Sequence, residues 1–141
     1  MKILRISIPP LPRSAGTARR AFSTFAGFHR VRNVDAENLL FALGEAIANA
    51  IQHAETAESI ELLARTDEDA VVVRVSDRGR GFAVPADRLP RLPHVLAERG
   101  RGFAIMQRCT HFFAIESRPG RGTVVTFGRY RRDLEELAPA L

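Results

Sequence analysis

Apolar and polar residues alternate through "KILRISIP" (Lys2–Pro9), a two-residue period that predicts a β-strand, and Pro9-Pro10 ends it. The period then lengthens. "SAGTARRAFSTFAGF" (Ser14–Phe28) sets Phe22 and Phe25 on one side of a helix. A second helix is expected from an N-cap at Asp35 to about His53, with Leu40, Leu43, Ile47, Ala50 and Ile51 as its core stripe. Opposite that stripe stand Glu45, Asn49 and His53, spaced four apart and therefore on one face. A solvated face usually carries Lys, Arg and Glu. This one carries a carboxylate, an amide and an imidazole, so it is either a short regular polar edge or the wall of a site.

Strand patterns return in "SIELLART" and "AVVVRVS", which flank the turn-like "DED" and read as a β-hairpin. "DRGRGF" follows, and then a proline-broken stretch, Ala83–Arg99, without clear periodicity. A structureless segment of that length inside one domain is usually functional or mobile. "GRGFAIMQRC" opens a helix directly after glycines, "FFAIES" is a strand, "RPGRG" a tight turn and "TVVTFGRY" a last strand. The tail from residue 131, "RRDLEELAPAL", either adds a short helix or frays. Together these elements predict a single α/β domain over residues 1–141, a two-layer sandwich with helices on one face of a mixed, largely antiparallel sheet.

Composition narrows the picture. A chain of 141 residues with 45% apolar content can bury a real core, and no apolar run approaches the roughly 20 residues that span a bilayer. The first residues hold too short an apolar stretch for a signal peptide, which makes the cytoplasm the expected location with no membrane partner. The single cysteine, Cys109, cannot form an internal disulfide and reads as a buried thiol. Of 21 basic residues all but Lys2 are arginine, and the net charge is +5. The arginines are scattered, without the aromatic interleaving or recognition helix of a nucleic-acid binder, so an anionic ligand or acidic partner is the better expectation.

Three Gly-x-Gly units punctuate the second half: Gly79-Arg80-Gly81, Gly100-Arg101-Gly102 and Gly120-Arg121-Gly122. Any one alone is an ordinary turn signal. Their placement says more. The first follows a strand and Asp77, the second precedes a helix, and the third precedes a strand beginning at Thr123. Glycines before a helix let backbone N–H groups approach a phosphate, which the helix dipole favours. A P-loop is excluded, because the only lysine is Lys2, and no Gly-x-Gly-x-x-Gly follows the first strand as a Rossmann site requires.

The order "E-x-x-x-N-x-x-x-H", "D-x-G-x-G-F", "G-R-G-F-A-I-M" and "G-x-G-T" resembles the ATP-binding domain shared by gyrase, the heat-shock chaperone, histidine kinases and mismatch-repair proteins. Within that superfamily the short chain, "NAIQHA" and "GRGFAIM" look most like bacterial anti-sigma-factor serine/threonine kinases. The motifs cover about residues 33–127. The resemblance implies ATP and Mg²⁺ as cofactors, with Asn49 as the metal ligand. It implies Glu45 as the carboxylate that takes a proton from the attacking hydroxyl. It matches Asp77 to the acceptor of the adenine amino group, with Gly79 and Gly81 letting the chain pass close to the base and Thr123 supporting the contact. Gly100, Arg101 and Gly102 match the phosphate-binding turn, with Phe103 beside it and residues 83–99 as the lid. His53 joins the nucleotide-binding set, although by itself it reads as a helix-end hydrogen-bonding group. One departure stands out: the family usually has an acidic residue shortly after the "GRGL…M" helix, where this chain has Thr110 and His111.

The resemblance therefore implies a protein kinase whose substrate is an anti-sigma-factor antagonist, with sigma-factor sequestration and homodimerisation as family habits. Three other functions compete. One is an ATP-dependent binding module of the same fold without transfer. A second is a histidine-kinase catalytic domain acting in trans, since the chain has no phosphoacceptor helix pair. The third, a basic nucleic-acid binder, would show steep salt dependence.

Overall fold

The computed structural model describes residues 1–53, 58–81 and 102–132. The lid segment 83–99, Gly100, Arg101 and the tail beyond residue 132 lie outside these. The described elements are β1 (Lys2–Ile8), α1 (Ser14–Phe28), α2 (Asn33–His53), β2 (Ile60–Thr66), β3 (Ala70–Asp77), α3 (Gly102–Cys109), β4 (Phe112–Ser117) and β5 (Thr123–Tyr130).

The strands pair in the order β1-β2-β3-β5-β4, antiparallel at each junction. Two-residue alternation decides which side faces the helices. Ile60, Leu62 and Ala64 of β2, Val71, Val73 and Val75 of β3, and Val125 and Phe127 of β5 are buried, while Glu61, Arg65 and Arg74 between them are exposed. Against that apolar face lie Phe22 of α1, Leu39, Leu43 and Ile47 of α2, and Phe103 and Met106 of α3, all essentially inaccessible to solvent. At about 25 cal/mol per Å², each such side chain contributes roughly 1.5–3 kcal/mol relative to exposure. The β2–β3 turn closes on Asp67, whose Oδ1 accepts the Asp69 and Ala70 N–H groups at 2.8 and 3.0 Å. Those two donors hold its carboxyl below the usual carboxylate value.

Two sequence expectations need correction. Asp35 is not the N-cap of α2: the helix begins at Asn33 and Asp35 lies in its first turn, fully buried. Its oxygens accept from Arg32 Nε and Arg129 Nε, each at 2.9 Å. An Asp near a helix start reads as a cap, and its main partner stands 94 residues away in the chain. The core stripe of α2 is also rotated slightly. Leu39, Ala42 and Ala46 join Leu43, Ile47 and Ala50 inside, while Leu40 and Ile51 are half-buried flanks, and so is Cys109 on α3.

At the β4–β5 edge, His111 Nδ1 accepts the Tyr130 backbone N–H at 2.8 Å, with the two rings stacked 5.7 Å apart. Burial, then the Arg129 guanidinium, push the imidazole pKa below its ordinary 6.5; Asp35 pulls it up and Arg32 down. Because the folded state favours the neutral ring, this contribution to stability is complete above the ordinary value and is lost as pH falls below it. Thermal denaturation of parent and His111→Asn between neutral and mildly acidic pH checks this. The parent melting temperature is expected to fall with acidification more than that of the variant, whose amide oxygen accepts without titrating. Parallel slopes would remove His111 as the cause.

Candidate functional site

The strand register assembles the site. Asp77 ends β3 and lies opposite Thr123, which begins β5; Thr123 in turn lies opposite Ser117, which ends β4. A carboxylate and two hydroxyls therefore form one row across three strands at one end of the sheet. Thr123 is 6% exposed, and its Oγ1 lies 2.8 Å from Ser117 Oγ, which also donates to the Gly122 carbonyl at 3.2 Å. Asp77 Oδ1 accepts the Gly79 N–H at 2.9 Å, which fixes the carboxylate orientation and bends the chain out of β3.

Beyond that row, the first and third glycine units interlock. Gly81 and Gly122 have φ of +65° and +79°. A methyl group on Gly81 would collide with the Arg118 carbonyl oxygen, and one on Gly122 with the Asp77 carbonyl oxygen. Both positions thus combine a left-handed backbone with backbone-to-backbone contact that only glycine allows. The Gly120 N–H donates to the Arg80 carbonyl, tying the two turns together. Gly79 is buried beneath them. The two turns are thus closed against each other beside the Asp77–Thr123 row.

The polar line on α2 is continuous with the rest of a 21-residue helix, and Glu45, Asn49 and His53 are all half-buried. The Asp35–Arg129 pair sets the helix's direction, placing its first turn at the far end of β5 from Thr123. Asn49 stands about 21 Å along α2 from Asp35, and Thr123 about 20 Å along β5 from Arg129. Packed over β3 and β5, α2 therefore carries its Asn49 end toward the Thr123 end of the sheet. Asn49 Nδ2 is buried without a hydrogen-bond partner. A buried, unpaired amide costs on the order of 1–3 kcal/mol, so this donor calls for a partner such as an ordered water or a bound ligand.

Gly102 begins α3, as the glycine-before-helix reading requires, and Phe103 is 1% exposed, edge-on to Phe113 at 6.0 Å. Phe103 is thus a core side chain that anchors the first turn of α3. Gly100 and Arg101 fall outside the described residues. Sequence reasoning missed Ser117 and the structural part of Gly122. The hairpin register through "ESRPGRGT" carried the signal, because it sets Ser117 opposite Thr123. Among the described residues no group of three or more His, Cys, Asp or Glu could hold a metal.

The family model described as the histidine kinase-like ATPase domain matches residues 8–128. No curated protein matches the sequence. Among solved structures, that of the RsbU and RsbW domains of Rv1364c from Mycobacterium tuberculosis is similar with a TM-score of 0.71 and 19% identity, over 92% of this chain and 33% of that one. The histidine kinase domain of the blue-light activated histidine kinase EL346 from Erythrobacter litoralis gives 0.53 and 20%, over 82% of this chain and 58% of that one. The chain thus spans about a third of the first and just over half of the second, and these likenesses concern the fold.

Proposed function

Because the chain belongs to the histidine kinase-like ATPase domain family, we propose that it is an ATP- and Mg²⁺-dependent serine/threonine protein kinase of the anti-sigma-factor type. In this reading it acts in the cytoplasm, phosphorylates an anti-sigma-factor antagonist and also sequesters a sigma factor. The observation that carries the nucleotide half of the proposal is the Asp77–Thr123–Ser117 row under two interlocked glycine turns. Similarity to a structure holding an RsbW domain, at a higher TM-score than to the histidine kinase domain, favours the anti-sigma-factor side.

Each residue's task follows from its chemistry. Asp77 accepts a hydrogen bond from the adenine amino group, with Thr123 and Ser117 completing the polar edge. Gly79 and Gly81 let the chain pass close to the base. Gly102 and Phe103 in the first turn of α3 supply N–H groups and the positive end of a helix dipole to the phosphates, and Gly100 and Arg101, as the resemblance implies, belong to the same phosphate-binding set. Asn49, with its unpaired buried amide, offers a carboxamide oxygen to Mg²⁺ once the amide is turned. When bound, Mg²⁺ neutralises charge on the phosphates. His53, one turn on, lies within the same polar line. Glu45 takes the proton from the serine hydroxyl as its oxygen bonds to the γ-phosphorus and ADP leaves. The groove of about 350 Å³ between α1 and α2, lined by Arg19, Arg20 and Leu40, is our choice of partner surface. A homodimer is part of the same proposal.

The test is transfer from γ-labelled ATP to antagonist-type proteins from the source genome. Acid-stable label on a serine or threonine is expected. Acid-labile label on a histidine protein would instead assign the chain to histidine phosphotransfer, and ATP binding without any transfer would leave a binding module.

A further inference from the structure

The face of the sheet turned away from the helices carries an uncompensated cluster of charge. On it Arg5, Leu63 and Arg74 form one cross-strand row of β1, β2 and β3, and Ile3, Arg65 and Val72 form the next. Arg5 and Arg74 are therefore about 10 Å apart across Leu63, and Arg65 stands diagonally to each at about 7–8 Å. All three arginines are exposed, and none makes a hydrogen bond or ion pair among the described residues. Arg129 and Arg131, by contrast, spend their guanidinium groups on Asp35 and on backbone carbonyls. Three like charges within about a Debye length repel one another, so this arrangement opposes folding unless an anion covers it. Leu63 and Val72, with Thr126 and Glu116 farther across the sheet, line a hollow of about 250 Å³ among them.

We propose that this face docks an acidic amphipathic helix of a partner protein, at a surface separate from the α1–α2 groove and independent of the ATP reading. The Leu63–Val72 diagonal crosses the Arg65–Arg74 diagonal. An element laid along the apolar diagonal thus has a guanidinium on each side. An amphipathic helix has the matching pattern, an apolar stripe flanked by polar positions. With Glu or Asp at those positions, each guanidinium can hold a carboxylate through two parallel hydrogen bonds, and Arg5 extends the track over β1. The hollow is smaller than the roughly 300 Å³ at which small-ligand pockets begin, so it suits one apolar side chain of a larger partner. Nucleic acid and anionic bilayers fit less well. Their phosphates would meet Glu61 and Glu116, which share the row beyond Leu63 and Arg74, whereas a helix about 10 Å wide is narrow enough to leave both in water.

The probe is a labelled peptide of about 18 residues, long enough to hold a helix, with leucines on one face and glutamates on the rest. It is titrated into the full chain by fluorescence anisotropy. Binding is expected to weaken with salt and to fall about tenfold or more in Arg65→Glu and in Arg74→Glu. Arg108→Glu, the same charge change at an exposed position on α3, should stay within about twofold of the parent. A peptide of the same composition with its leucines scattered round the helix should bind about tenfold more weakly or worse, which net charge alone would not produce. That peptide pair decides on the parent protein, whatever the variants do to folding. No binding by the parent, equal losses in Arg65→Glu and Arg108→Glu, or equal binding of the two peptides overturns the proposal. So does binding lost only in Arg19→Glu, which would place the peptide in the α1–α2 groove. Binding that requires deletion of residues 133–141, "DLEELAPAL", would assign the face to the chain's own acidic end. A dimer that Arg65→Glu dissociates would assign it to a second copy, and a DNA duplex that displaces the peptide would assign it to nucleic acid. Each of these outcomes also overturns the proposal.

Discussion

Glu45→Gln lowers the rate of phosphoryl transfer to the serine partner by about 10²–10⁴-fold while ATP affinity stays within about twofold, the range expected when a general base is lost but its shape is kept. Glu45 lies one turn before Asn49 on a single uninterrupted helix, so the residue beside the proposed metal ligand is a carboxylate by position rather than by chance approach of a loop. It is half-buried and ion-paired to no described residue. Single-turnover transfer of labelled phosphate, with calorimetric ATP binding beside it, measures both halves of the claim. A Gln variant that transfers at the parental rate would strip Glu45 of its role and leave the polar line on α2 as a binding surface only.

The second large effect is on stability. Gly122→Ala is expected to lower the unfolding free energy by about 3 kcal/mol or more and to abolish detectable ATP binding, because two penalties coincide at that residue. Its φ of +79° is unfavourable for alanine, and the added methyl would run into the Asp77 carbonyl oxygen. Relief requires β3 and β5 to part at the Asp77–Thr123 pair, which is the proposed adenine edge. Gly120 separates the two penalties. Its φ is +77° but nothing lies within 4 Å of an added Cβ, so Gly120→Ala should cost only the backbone strain, about 1 kcal/mol. Urea denaturation of the two variants compares them directly. Equal losses would mean that the glycine turns are not interlocked in solution as described.

Much of this was legible in the chain because each device is local. Two-residue alternation located the strands, and the four-residue spacing of Glu45, Asn49 and His53 put them on one face before any tertiary contact was known. Glycine units marked the turns for the same reason, since left-handed backbone and close approach leave a compositional trace. What stayed hidden depends on pairing between distant segments. Nothing in "FFAIES" says that β4 sits at the sheet edge and β5 beside β3, and so Ser117 could not be placed in the row with Asp77. Asp35 looked like a cap because the sequence shows its helix and not Arg129 across the fold. Leu39 was overlooked for Leu40 because a stripe read at 3.6 residues per turn leaves its edge uncertain by one position. The phosphate turn at Gly100 and Arg101 and the lid before it lie outside the described residues.

Asp77, Thr123 and the paired glycine turns are proposed to form an adenine pocket. Calorimetric titration of Mg²⁺-ATP into the parent protein and into Asp77→Asn tests it most directly. Micromolar-range binding by the parent is expected, weakened at least tenfold, about 1.4 kcal/mol or more, when the charged acceptor is replaced. Absence of binding by the parent, or equal affinity in both proteins, would contradict it.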